Sequence, residues 1–154
     1  VFMAIVYLGL GTNIGNKRRN MITAAALLAE RVGDILALSG FYETEPWGFE
    51  SKNIFLNASV KLKTSFSPLE LLQITQQIEK ELGRTEKSNG TYHDRIIDID
   101  ILLYDDEVLQ IPGLILPHPL MHERKFVMDP LSEIAPFVVH PVLKERIIDL
   151  KERL

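Results

Sequence analysis

Asn53-Ile54-Phe55-Leu56-Asn57-Ala58-Ser59-Val60-Lys61-Leu62-Lys63 is followed, a few residues on, by Ser67-Pro68-Leu69-Glu70. The first run alternates. Ile54, Leu56, Ala58, Val60 and Leu62 share one face, and Phe55, Asn57, Ser59, Lys61 and Lys63 share the other, the period-two pattern of a strand with one apolar face. The second run opens a helix, with Ser67 at the N-cap, Pro68 at the first helical position and Glu70 completing a capping box. Leu71, Ile74, Ile78 and Leu82 then form the apolar stripe, and Gly83 stops the helix.

Upstream, Val1 to Leu10 is continuously apolar and reads as a buried strand, with Gly9, Gly11 and Asn13 marking a tight strand-to-helix turn. Met21, Ala25, Leu28 and Val32 recur at helical spacing and predict a helix over 16–32. A second strand is expected over 35–43, then a loop over 44–52. Downstream, residues 84–95 lack periodicity and read as a mobile polar loop. Residues 96–104 are expected to form a strand, leading into a hairpin through Asp105-Asp106-Glu107. Prolines at 112, 117 and 119 break the chain before a helix over 122–133, and a charged helix over 143–153 follows. The order β-α-β-β-α-β predicts an α+β, ferredoxin-like fold: an antiparallel sheet with helices on one face and a C-terminal hairpin and helix extension.

The 154 residues suit a single domain spanning 1–154, with 46% hydrophobic and 25% charged residues giving ordinary globular composition. Lys and Arg total 17 against 21 Asp and Glu, and a net charge of −4 argues against nucleic-acid or anionic-membrane partners. Cysteine is absent, which excludes disulfides, thiolate-bound metals and thiol nucleophiles. No apolar run approaches the ~18 residues of a membrane span. The first strand lacks a basic flank, so it does not read as a signal peptide, and a cytoplasmic enzyme is expected.

Chemistry concentrates in Ile97-Asp98-Ile99-Asp100-Ile101. Alternation puts both carboxylates on one strand face, about 7 Å apart, where a cation must offset their repulsion. Hard oxygen ligands suit Mg²⁺ when substrate phosphates complete its shell. Arg84 and Arg95 bracket the preceding loop, with Lys87 between them, and can grip phosphate oxygens. Gln76 and Glu79 lie three apart on one helix face, able to read a base or ribose. Phe55 beside Asn57 can stack a flat heterocycle and read its polar edge. His118, His122, Arg124 and Phe126 form a further cluster, but Pro119 separates the histidines and no third ligand is evident for zinc. The run Gly9-Leu10-Gly11-Thr12-Asn13-Ile14-Gly15 misses the dinucleotide fingerprint by one residue.

In order along the chain, seven segments resemble the 6-hydroxymethyl-7,8-dihydropterin pyrophosphokinase family. They are Leu8-Gly9-Leu10-Gly11-Thr12-Asn13, Phe41-Tyr42-Glu43-Thr44-Glu45-Pro46, Phe55-Leu56-Asn57-Ala58, Gln77 through Arg84, Arg95 through Leu102, Leu116-Pro117-His118-Pro119, and Pro130 through Pro136. The resemblance implies transfer of pyrophosphate from ATP to a pterin hydroxymethyl group, leaving AMP, in folate biosynthesis. It implies that Asp98 and Asp100 hold two Mg²⁺ ions and that Arg84 and Arg95 stabilise the transferred group. Phe55 and Phe126 would sandwich the pterin, with Asn57 and Thr44 reading its edge. Gln76, Glu79, Ile101, His118 and Arg124 would lie on the nucleotide side, together with Arg84 and Arg95. A monomer is implied, with loops 44–52 and 84–95 closing over the substrates. The chain departs from the family at Tyr92-His93-Asp94, Glu86 and Leu120, which bears on loop order and ATP affinity.

Two other readings use the same residues. One is a different Mg²⁺-dependent phosphotransferase or nuclease built on Asp98 and Asp100. The other is a non-catalytic ferredoxin-like module that binds a small molecule.

Overall fold

The computed structural model describes residues 2–44, 54–83 and 96–154. Its elements run β1 (Ala4–Thr12), α1 (Lys17–Arg31), β2 (Gly33–Leu38), β3 (Tyr42–Thr44), β4 (Phe55–Thr64), α2 (Pro68–Glu81), β5 (Asp98–Tyr104), β6 (Leu109–Ile111), β7 (Leu114–Leu116), α3 (Lys125–Ile134) and α4 (Ile147–Glu152). The main sheet has the order β2-β4-β1-β5, and β1 pairs antiparallel with both β4 and β5. This is the expected α+β, ferredoxin-like arrangement. Among the described residues no helix is long and apolar enough to cross a membrane.

The alternation along β4 decides what covers each side of the sheet. Ala58, Val60 and Leu62 join Val6, Leu8 and Leu10 of β1 and Ile97, Ile99 and Ile101 beside them in one buried cluster, under Met21 and Leu28 of α1 and Leu71 and Ile78 of α2. Both helices are capped as their sequences require. The Asn16 side chain accepts from the Arg19 N–H, and Ser67 and Glu70 form the reciprocal box, a device worth about 1 kcal/mol.

The opposite face is also covered, which corrects the expectation of helices on one side only. Tyr7, Leu102 and Leu103 form a second cluster with Val127, Met128 and Leu131 of α3 and Ile147 and Leu150 of α4. Asn57 and Ser59 are therefore buried beneath α3 and not solvated. A register shift in β5 makes this possible. Val6 to Leu10 pair with Tyr104 to Ile99, but Leu102 is skipped between Tyr7 and Leu8, so Leu102 and Leu103 both turn toward α3.

Other boundaries move for local reasons. The strand expected over 35–43 is broken into β2 and β3, which follow one another along β4. At the break the Ser39 hydroxyl takes the Ser59 N–H (2.8 Å), while the Gly40 N–H turns away to Glu133 (3.1 Å). The chain after Asp105 returns beside β5, where the His118 N–H donates to the Leu102 carbonyl at 3.0 Å, but β6 does not pair with β5. Asp105 instead closes the end of β1, its carboxylate accepting from the Ile5 N–H at 2.8 Å, and β6 pairs with β7 around Gly113 at φ 84°. The helix expected over 122–133 is a 3-10 turn at Met121–Glu123 followed by α3, interrupted where Arg124 is extended (ψ 109°). The last helix is shorter than 143–153, because Lys144 adopts φ 61° and Val139 bridges Arg146.

Candidate functional site

The centre of the site is a pair of glycines. Gly9 and Gly11 lie inside β1, not in a turn after it, because the strand continues to Thr12. Gly11 pairs with Asn57 on one side and Asp98 on the other, and Gly9 pairs with Ser59 and Asp100. Tyr42 stands opposite Asn57, so a row Tyr42–Asn57–Gly11–Asp98 crosses four strands. Residues directly opposite one another point to the same face. A Cβ at Gly11 would lie 3.2 Å from Asn57 Oδ1 and 3.8 Å from Phe55 Cδ1. Bare backbone thus forms a floor between an amide and a carboxylate. The period-two spacing of the two glycines within an apolar strand was the available sequence signal for it.

One wall comes from β3 and β4. The Asn57 side-chain nitrogen donates to Thr44 Oγ1 at 2.7 Å, which fixes the amide with its oxygen toward Gly11. Thr44 pairs in turn with Phe55. Over the same face, Phe126 stands in the first turn of α3, which lies over β4 and packs against the cluster of Tyr7, Leu102 and Leu103. The Arg124 guanidinium sits 5.7 Å from the Phe126 ring centroid, within cation–π range, and Arg124 itself is buried.

Beside β5 lies a cleft of about 320 Å³ lined by Leu72 of α2, by Ile99, Asp100 and Ile101, by the β6–β7 hairpin, and by His118 and Pro119. Asp98 belongs to the glycine row and Asp100 lines the cleft, so the carboxylate pair links the row to the cleft. The Ile99 N–H points out of the sheet, donating to Glu79 Oε2 at 2.8 Å. Ile101, two residues on, presents its main chain in the same direction, toward the cleft.

Glu79 is buried at 4% exposure, whereas Gln76 is exposed. The two therefore do not share one solvent-facing surface, as their spacing suggests. Glu79 holds the strand that carries Asp98 and Asp100, from a helix position three residues along from Gln76.

His118 is positioned by its own N–H, which donates to the Leu102 carbonyl at 3.0 Å, and by Nδ1, which accepts from the Leu120 N–H at 3.2 Å. That leaves the ring proton on Nε2. Burial, and then the Arg124 cation, push the His118 pKa down to about 4, partly opposed by Asp98. His118 is neutral near pH 7, a hydrogen-bond donor and not a cation.

Arg84 and Arg95 lie outside the described residues. So do Lys87, Glu86, Tyr92-His93-Asp94 and most of the loop over 44–52. Leu120 is described and exposed. Among the described residues no group of three or more His, Asp or Glu gathers around a common point. Two hard carboxylates without a further protein cage are what Mg²⁺ accepts when phosphate oxygens and water supply the remaining ligands, so the donor set fits that ion.

A family model described as 7,8-dihydro-6-hydroxymethylpterin-pyrophosphokinase (HPPK) matches residues 7–136. A Porphyromonas gingivalis protein named 2-amino-4-hydroxy-6-hydroxymethyldihydropteridine pyrophosphokinase is 57% identical over 141 residues, covering 90% of this chain and 95% of its own. One of the same name from Aquifex aeolicus is 44% identical over 149 residues, covering 97% and 91%. Among solved structures, Plasmodium falciparum HPPK-DHPS with pteroate superposes with a TM-score of 0.81 at 18% identity. That match covers 99% of this chain and 44% of the longer Plasmodium chain, and it speaks to fold alone.

Proposed function

The chain belongs to the 7,8-dihydro-6-hydroxymethylpterin-pyrophosphokinase family, and from that membership we propose how its own residues carry the reaction. The activity is transfer of a pyrophosphoryl group from ATP to the hydroxymethyl group of the dihydropterin, in folate biosynthesis. Membership displaces the two other readings, a different phosphotransferase or nuclease and a non-catalytic module.

Moving the β- and γ-phosphates together requires the hydroxymethyl oxygen to attack the β-phosphorus. The bond from that phosphorus to the α-bridging oxygen breaks, and AMP leaves. The substrates must therefore meet with the β-phosphate beside the pterin. The observation that carries our assignment is the glycine row, with Asn57 and Asp98 on either side of Gly11 and Asp100 lining the adjoining cleft. We assign the pterin to the glycine floor, between Phe55 and Phe126, with Asn57 and Thr44 reading its donor–acceptor edge. The nucleotide is assigned to the cleft beside β5, where the Ile101 main chain faces a planar base. Neutral His118 donates from Nε2, Gln76 is assigned to the nucleotide side, and Arg124 supplies charge and supports Phe126. Glu79 serves this side by holding β5.

Asp98 and Asp100 are proposed to hold Mg²⁺, two ions by the family resemblance, which would offset the charge on the polyphosphate and polarise the phosphorus. Arg84 and Arg95 are assigned to the charge that develops on the transferred group. No general base is needed, since phosphoryl transfer is accelerated mainly by positioning and charge stabilisation. A single domain over 1–154, acting as a cytoplasmic monomer without nucleic-acid or membrane partners, belongs to the same proposal. The net charge of −4 is in keeping with it.

The test is AMP formation from ATP, Mg²⁺ and the reduced hydroxymethylpterin. Wild-type chain should release one AMP per pterin consumed, and Asp98→Ala or Asp100→Ala should abolish turnover without unfolding. No AMP from the wild type, or wild-type rates in both variants, would refute the assignment.

A further inference from the structure

Among the described residues β3 is a three-residue strand that pairs with β4 alone, and it carries Thr44. Three residue pairs are too few to hold a strand in place by main-chain bonding alone. The extra support comes from α3. The Tyr42 hydroxyl donates to Glu133 Oε1 at 2.6 Å, and the Gly40 N–H donates to both carboxylate oxygens at 3.1 and 3.2 Å. One acidic side chain therefore holds the chain two residues before Thr44 and again four residues before it.

Glu133 stands seven positions after Phe126 on the same helix, two turns along one face and about 10 Å down the axis. The helix that carries Phe126 over this sheet face thus fastens, through Glu133, the strand that carries Thr44. From this geometry, and resting on the pterin assignment above, we infer that Glu133 is a positioning residue. It sets the Thr44–Asn57 edge relative to Phe126 and so fixes the width of the pterin slot.

Glu133 touches neither substrate in this account, so its effect is selective. Loss of the clamp frees β3 and blurs the Thr44–Asn57 pair, which the pterin reads, while the cleft beside β5 is untouched. The hydrogen bond to Glu133, and then burial, hold the Tyr42 hydroxyl pKa up to about 12. That gives a spectroscopic signature separate from activity.

Glu133→Gln, Glu133→Ala and Tyr42→Phe test the inference in the full chain. Expected are a pterin KM raised about three- to tenfold in Glu133→Ala, the size of a lost hydrogen bond or two, an ATP KM unchanged within about twofold, and partial rescue by Glu133→Gln. Tyr42→Phe combined with Glu133→Ala should be no worse than Glu133→Ala alone, because both break one contact. Absorbance titration should show one tyrosine ionising at lower pH in Glu133→Ala than in the wild type. If that titration shift occurs and the pterin KM stays at the wild-type value, the inference is overturned. Equal rises in both KM values, tracking a lowered Tm, would overturn it too, reducing Glu133 to a fold-stabilising role. An active wild type with those results leaves the reaction standing, whereas a wild type that makes no AMP removes the pterin assignment and this inference with it.

Discussion

Replacing Gly11 by alanine adds a single methyl group at the centre of the site. The φ of Gly11 lies outside the left-handed region, so alanine fits the backbone, and the fold should be kept or gain a few tenths of a kcal/mol from a less flexible unfolded chain. The new Cβ would stand 3.2 Å from Asn57 Oδ1, a distance at which the amide must give by a few tenths of an ångström. Asn57 has little room to give, because its nitrogen is tied to Thr44 at 2.7 Å. Displacing the amide weakens one hydrogen bond to the pterin edge, about 1 kcal/mol or roughly fivefold in affinity. The methyl also stands on the floor itself, so fivefold is a lower bound for the rise in pterin KM. Gly9→Ala is the control. Its Cβ would stand against the Leu102 side chain, nearest at 3.5 Å, an ordinary contact with a group that already occupies that side of Gly9, and the pterin KM should move far less. Initial rates with either substrate varied, beside thermal unfolding of each variant, make the measurement. A Gly11→Ala chain with wild-type pterin KM and normal Tm would refute the placement of the pterin on the glycine floor. An equal rise in both KM values would refute the separation of the two pockets.

Glu79→Ala leaves the Ile99 N–H without its acceptor beside the aspartates and should cost about 1–3 kcal/mol in urea unfolding, with Glu79→Gln recovering most of it. His118, held near pKa 4 in the fold against an unfolded value near 6.5, binds a proton more readily when unfolded. Its contribution to stability should therefore be full above pH 6.5 and fall as pH drops from 6.5 toward 4, and His118→Asn should flatten that part of the profile. NMR of the His118 ring without nucleotide should show no titration between pH 6 and 8. Chelation of Mg²⁺ should stop AMP formation without lowering Tm, since strand pairing with β1 holds the backbone that carries both carboxylates.

Much of this arrangement was legible in the residues. The alternation over 53–63 and the capping box at Ser67 gave β4 and α2 nearly to the residue, because each element carries its own period and start signal. The Asp98–Asp100 spacing put both carboxylates on one face, and the β5 register bears this out. What the sequence hid depends on partners distant in the chain. Lys61 and Lys63 made one face of β4 look solvated, but α3 reaches back from 125–134 to cover Asn57 and Ser59. The break between β2 and β3 is set by Glu133, more than ninety residues away. Gly9 and Gly11 looked like punctuation, because a glycine that keeps a floor clear has the same letter as one that makes a turn. Glu79 at helical spacing from Gln76 looked exposed, and only the edge position of β5 shows why a carboxylate is buried there.

The central claim is that two substrates occupy two adjoining spaces joined by Asp98 and Asp100. A crystal structure of the chain with Mg²⁺, a non-hydrolysable ATP analogue and the hydroxymethylpterin tests it most directly. The account predicts the pterin ring over Gly11 between Phe55 and Phe126, the base against Ile101, and metal density at both aspartates. A pterin bound in the cleft beside β5, or aspartates without metal while the analogue is bound, would contradict it.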